Sequence, residues 1–133
     1  MGRRKARESA MQVLYQLDVG RMGTEDAFNN LRNKFTISDA DIEFARQLVA
    51  GTMEKLPELD AIITRLCREW RLERIAAVDR SILRMGLFEI YYDADIPFNV
   101  TINEAVEMAK KFGGKQSGKF INGILGKAAE EIR

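Results

Sequence analysis

The sequence predicts an all-α fold of about seven helices, on three observations. Apolar residues recur every three or four positions along most of the chain, the period of a helix with one face on a core. Only two prolines and few β-branched runs interrupt that period. Helix-start and helix-stop residues punctuate it at short intervals.

Ala6, Ala10, Val13, Leu14 and Leu17 form the first stripe, and Gly20 is placed to stop it. A short second helix fits residues 24–33, with Thr24 as its N-cap. Ser38 followed by Asp41 reads as a capping box ahead of Ile42, Ala45, Leu48, Val49, Thr52 and Met53. Leu56-Pro57 breaks that helix and opens the next, because proline is tolerated in a first turn. Leu59, Ile62, Ile63, Leu66 and Trp70 supply the fourth stripe.

Residues 78–92 are apolar nearly all round, as in the buried centre of a bundle. Glu89 falls on the side of Val78, Ile82 and Met85, so its carboxylate needs a buried partner. Residues 92–100, with the Ile96-Pro97 break, read as a loop. Thr101 and Glu104 then read as a capping box for a helix carrying Ile102, Ala105, Val106, Ala109 and Phe112. Its acids come early (Glu104, Glu107) and Lys110 and Lys111 late, as the helix dipole favours. Gly113-Gly114 ends it, and Ser117 is expected to cap a last helix with Ile121, Ile124, Leu125, Ala128 and Ile132 inward.

At 133 residues the chain is expected to be a single domain, 1–133, large enough to bury a core without disulfides or a structural metal. Histidine is absent, which removes Ser-His-Asp and Cys-His catalysis and His-ligated zinc. The lone Cys67 cannot form an internal disulfide. Asp39, Asp41 and Glu43 are an ordinary helix start rather than a metal site. No catalytic constellation is present, so neither an enzyme nor a cofactor is expected. With no membrane-length apolar run and no signal core, the expected location is the cytoplasm.

The net charge of +1 conceals a split. Arg3, Arg4, Lys5 and Arg7 give residues 1–7 a charge of +4 with no acid. Lys110, Lys111, Lys115, Lys119 and Lys127 give the stretch between Met108 and Ala129 a charge of +5, which leaves −8 for the rest. Two basic segments on an acidic body suggest a localised anionic partner, although solvated helix ends would look similar. On a helical wheel Arg3, Arg4, Arg7 and Tyr15 line one flank of the first stripe. Arginines beside a tyrosine can fork phosphates and stack a base. The competing reading is a frayed, soluble N-terminus with Tyr15 half-buried. The side chains of residues 1–7 are expected to bury little.

Gly113-Gly-Lys-Gln-Ser-Gly-Lys119 fits G-x-x-x-x-G-K but is not a nucleotide-binding P-loop. The next residue is Phe120 where magnesium needs Ser or Thr, and a helix precedes it instead of a strand. A helix start with Lys115 and Lys119 still attracts anions. Phe120 lies at the rim of its stripe, and Gly123 one turn on has no side chain to cover the ring, so it suits a stacking platform as well as ordinary packing. Arg74, Arg80 and Arg84, with Asp79 and Glu89, surround the central helix and read chiefly as a structural ion-pair network.

Four blocks together carry a resemblance: RRKARESAMQVLYQ, EWRLERIAAVDRSILRMGLFEI, IPFNVTINEAVEMAKKFG and SGKFINGIL. They resemble the NusB family of transcription antitermination factors, from about Arg3 to the C-terminus. The resemblance implies two small packed helical bundles that bind boxA-type single-stranded RNA of ribosomal RNA leaders. It further implies NusE, a ribosomal small-subunit protein, as a partner, within an RNA polymerase antitermination complex. Carried over by residue, the implied RNA contacts are Arg3, Arg4, Arg7 and Tyr15, then Gln116, Lys119 and Phe120. Asp79 is the implied NusE contact. Gln116 stands where the family often has an acid, and Gly126 where it often has Asp.

The expectation is therefore a non-enzymatic RNA-binding antitermination factor, with a homodimer of the free protein as a further partner to consider. Two alternatives stand beside it. One is the NusB-like domain of an RNA cytosine methyltransferase, of which this chain would be a fragment. The other is a purely protein-binding helical adaptor.

Overall fold

A computed structural model of the chain describes residues 3–20, 22–34 and 37–132, except the side chains of residues 32–34. Among them are seven α-helices, a short 3-10 turn and no strand. The chain divides into two compact units, Met1–Gly51 and Thr52–Arg133.

The first unit holds α1 (Arg3–Val19), α2 (Thr24–Lys34) and α3 (Asp39–Glu54) as far as Gly51. α1 packs on α2. The predicted stripe of α1 is buried at Ala6, Ala10, Val13 and Leu14, as are Phe28 on α2 and Ile42, Ala45 and Val49 on α3. At α3 the Ser38 half of the expected capping box forms, with the Asp41 N–H donating to Ser38 Oγ at 3.1 Å.

In the second unit α5 (Ala77–Tyr92), α6 (Phe98–Phe112) and α7 (Ser117–Ile132) pack mutually, and α4 (Leu56–Leu66) lies against α5 and α7. α5 is the predicted buried centre: Ile82, Leu83 and Leu87 are fully enclosed. At Gly86 an added Cβ would lie 2.9 Å from Leu125 Cδ1, so glycine sets how closely α5 and α7 approach. No described helix is long and apolar enough to cross a membrane.

Two predicted boundaries shift. α4 ends at Leu66, and Trp70 lies beyond it, before the 3-10 turn Leu72–Arg74, and 53% exposed instead of on a core stripe. α6 starts at Phe98, because Pro97 already has an extended backbone suited to the N-cap and has no N–H to leave unsatisfied. Thr101 is therefore inside the helix and caps nothing. It is buried, and its hydroxyl donates to Glu89 Oε1 at 2.6 Å, which supplies the partner expected for that carboxylate.

Candidate nucleic-acid interface

The site residues fall into two groups, one in each unit. In the first unit α1 is helical from Arg3, so its basic residues continue the helix. The Arg3 guanidinium stands 4.5 Å over the ring of Phe44, and that of Arg7 stands 5.4 Å from the same ring. Arg3 also pairs with Asp41 at 3.8 Å. Arg3 and Arg4 are exposed, and Tyr15, farther along the helix, is half-buried. Arg7 is only 5% exposed. With Ala6 enclosed beside it, residues 3–7 bury more than their sequence suggests, since a long aliphatic stem covers apolar surface well.

In the second unit the turn between α6 and α7 is tied down by Ser117. The Gly114 N–H donates to Ser117 Oγ at 2.8 Å, and that hydroxyl donates to Asp79 Oδ2 at 3.0 Å. Gly113 is required by close approach: an added Cβ would fall 2.6 Å from Ser117 Oγ and 2.8 Å from the Ala109 carbonyl. Ser117 thus links the turn to the start of α5 instead of capping α7, whose Phe120 N–H bonds the Gln116 carbonyl at 3.1 Å. Asp79 is 8% exposed, and its Oδ1 is buried without a hydrogen-bond donor.

Gln116 and Lys119 are exposed, and Phe120 is half-buried. Gln116, Phe120, Asp79 and Trp70 border a groove of about 390 Å³. Lys119, Phe120 and Trp70 border another of about 630 Å³. Phe120 therefore borders both, and at Gly123, one turn on, an added Cβ would meet nothing within 4 Å. Periodicity misplaced Trp70, as it did Met53 and Ile132, which are 40% and 41% exposed. The signal for Trp70 lay in its neighbours, since Arg68, Glu69 and Arg71 flank it with charge where a core position would be sheltered.

The arginine cluster resolves into structural pairs. Arg84 forks Asp60 with bonds of 2.8 and 3.0 Å, and Arg80 donates to the Leu72 and Ile75 carbonyls at 3.2 and 2.9 Å. Glu89 and Asp79 take hydroxyl donors, from Thr101 and Ser117. Arg74 is exposed at the smaller groove. Among the described residues no cluster of three or more His, Cys, Asp or Glu could hold a metal ion.

Comparison with known proteins agrees with this architecture. The NusB family model matches residues 4–130. A transcription antitermination protein NusB from Desulforamulus reducens is 53% identical over 127 residues, covering 96% of this chain and 89% of that protein. The solved structure of T. maritima NusB is 36% identical with a TM-score of 0.87, covering 98% of this chain and 92% of the other. A chain from a crystal structure of antitermination factors NusB and NusE in complex with double-stranded RNA is 27% identical with a TM-score of 0.84, over 97% and 96% of the two chains. On a match that runs through both units, the chain belongs to the NusB family of transcription antitermination proteins, not to an enzyme family.

Proposed function

We propose that the protein binds boxA-type single-stranded RNA of ribosomal RNA leaders together with NusE. It would act in the cytoplasm within an RNA polymerase antitermination complex, with residues 1–133 as one RNA-binding domain. The observation that carries this reading is Phe120, a half-buried ring at the lip of two grooves beside the exposed Lys119. A flat ring next to a cation suits an unstacked base and its phosphate, which a single strand offers without the cost of unstacking a duplex.

The residue roles follow from placement. Lys119 and Gln116 contact backbone and base edge around Phe120. In the first unit Arg3 and Arg4 meet phosphate, Tyr15 meets a base, and Arg7 acts from below by holding Phe44 and the helix start. Asp79, 8% exposed at the border of the smaller groove, is the proposed NusE contact.

A filter-binding assay tests the reading, using leader RNA with and without boxA, a duplex of the same sequence, and NusE present or absent. Tightest retention of single-stranded boxA RNA, strengthened by NusE, is expected. Equal retention of all RNAs would overturn boxA specificity, and binding of NusE with no RNA would leave a protein-binding adaptor. Sedimentation of the free protein checks whether a homodimer competes with RNA.

A further inference from the structure

We infer that the larger groove, between the C-terminal end of α4 and the exposed face of α7, is a second stretch of the RNA path, with Trp70 as its stacking residue and Arg68 and Lys127 as its phosphate contacts. The inference rests on the reading of Phe120 as an RNA platform and extends it beyond the α6–α7 turn.

Three observations support it. Trp70 is 53% exposed, and an indole left in water is a large apolar face without a partner. The groove is about 630 Å³, and its wall at Gly123 is open, since an added Cβ there would meet nothing within 4 Å. Its charge is positive. Arg65, Arg68, Lys119 and Lys127 border it against Glu69 and Glu131, and Glu131 is already engaged by Arg65 and by the Tyr91 hydroxyl. Lys119 and Lys127 lie two turns apart on α7, about 12 Å along its axis, so they can meet the phosphates of different nucleotides. An exposed ring bordered by Arg68, Lys119 and Lys127, and continuous with the Phe120 platform, fits a polyanion with π-faces better than an apolar peptide.

Trp70 is the only tryptophan and borders both grooves, so the quenching that a lengthened RNA adds beyond the core RNA reports the larger one. The probes are a core boxA oligonucleotide and the same RNA lengthened by a few nucleotides at either end. One lengthened RNA should bind roughly tenfold tighter than the core, as expected for one further stacked base. The same RNA should quench Trp70. Lys127→Gln and Arg68→Gln, both on exposed side chains, should remove that gain and leave core affinity unchanged. Trp70→Ala should remove it and Trp70→Phe restore most of it. If the core RNA binds and depends on Phe120, but neither extension adds affinity or quenches Trp70, the groove proposal fails and the RNA reading stands. Quenching by NusE and not by RNA would overturn it in favour of a protein surface. If no RNA binds, or Phe120→Ala changes nothing, the underlying reading falls with it.

Discussion

The Thr101 hydroxyl on α6 donates to the Glu89 carboxylate on α5 at 2.6 Å, with both side chains buried. A hydrogen bond of this kind joins two helices of the second unit through polar groups that water does not reach. Removing the hydroxyl takes a hydrogen bond from the buried carboxylate, which costs about 1–3 kcal/mol. Thr101→Val should therefore lower the unfolding free energy by about that amount, and Thr101→Ser, which keeps the hydroxyl, by clearly less. Denaturant unfolding of the three proteins checks it. Equal losses in both variants would show that shape rather than the hydroxyl matters.

This contact also shows where the sequence was readable. The all-α class, the seven helices and the need of Glu89 for a partner all follow from spacing, because burial on a helix face is written in a 3.6-residue period. The identity of the partner is not, since Thr101 in a T-x-x-E pattern looks the same whether it caps a helix or bonds across the core. Ser117 was misread for the same reason: its hydroxyl bonds Asp79, 38 positions away, instead of its own helix. In the site, Phe120 and Lys119 were legible from the glycine and charge pattern around them. Burial of Arg7 was not, because an arginine stem packs as an apolar chain while its head reads as charge.

Phe120 and Ile121 are neighbours with opposite surroundings, one at the lip of two grooves and the other fully buried. Phe112 looked like the core counterpart by spacing, but it is half-buried with Lys111 over its ring at 5.3 Å, so Ile121 is the better control. Phe120→Ala should weaken RNA binding by roughly ten- to a hundredfold, for about 1–3 kcal/mol of lost stacking. Ile121→Ala should instead cost about 2–5 kcal/mol of stability. Melting and filter binding on both variants separate the two effects. If Phe120→Ala unfolds the protein as readily as Ile121→Ala while the folded fraction binds normally, Phe120 is packing and not platform.

RNA affinity should fall with salt. For single strands the log–log slope is about −0.7 per phosphate neutralised, so engagement of about four to six phosphates gives a slope of about −3 to −4. Lys119→Gln should reduce its magnitude by about 0.7. Arg3→Gln should act in the same direction, whereas Arg7→Gln should mainly lower the melting temperature, because Arg7 is buried against Phe44. Deletion of residues 1–7 would remove Ala6 and Arg7 from buried positions, and is expected to destabilise the protein. A slope near zero would remove the electrostatic part of the proposal.

The pH dependence should carry a signature of the Arg65, Tyr91 and Glu131 group. Hydrogen bonds from Arg65 and then Tyr91 hold Glu131 below the usual carboxylate range. Its contribution is present above the unfolded carboxylate pKa of about 4.3, and is lost as pH falls through the lower folded value. Burial, followed by the bond to Glu131, raises Tyr91. That contribution is present below about pH 10, and is lost as pH rises through the folded value. Melting temperatures of the wild type and Glu131→Gln should converge in acid, and Tyr91→Phe should blunt the alkaline fall. Parallel curves at all pH values would mean that the group adds nothing to folding.

At Asp79 the structural role can be tested apart from the proposed partner role. Oδ2 accepts from Ser117 at 3.0 Å and so holds the α6–α7 turn, and Oδ1 is buried without a donor. Asp79→Lys would place an ammonium against Ser117 in a buried setting, so its expected outcome is loss of folding, which says nothing about NusE. Asp79→Asn is the informative change. Its amide oxygen can still accept from Ser117, while its NH₂ presents a donor where the carboxylate offered an acceptor. Loss of one hydrogen bond to a charged group costs about 1.5–3 kcal/mol, which predicts roughly ten- to hundredfold weaker NusE binding. The melting temperature and the affinity for RNA without NusE should change little. Calorimetry of NusE binding with each protein measures this directly. Unchanged NusE affinity in a folded Asp79→Asn variant would confine Asp79 to holding the turn through Ser117.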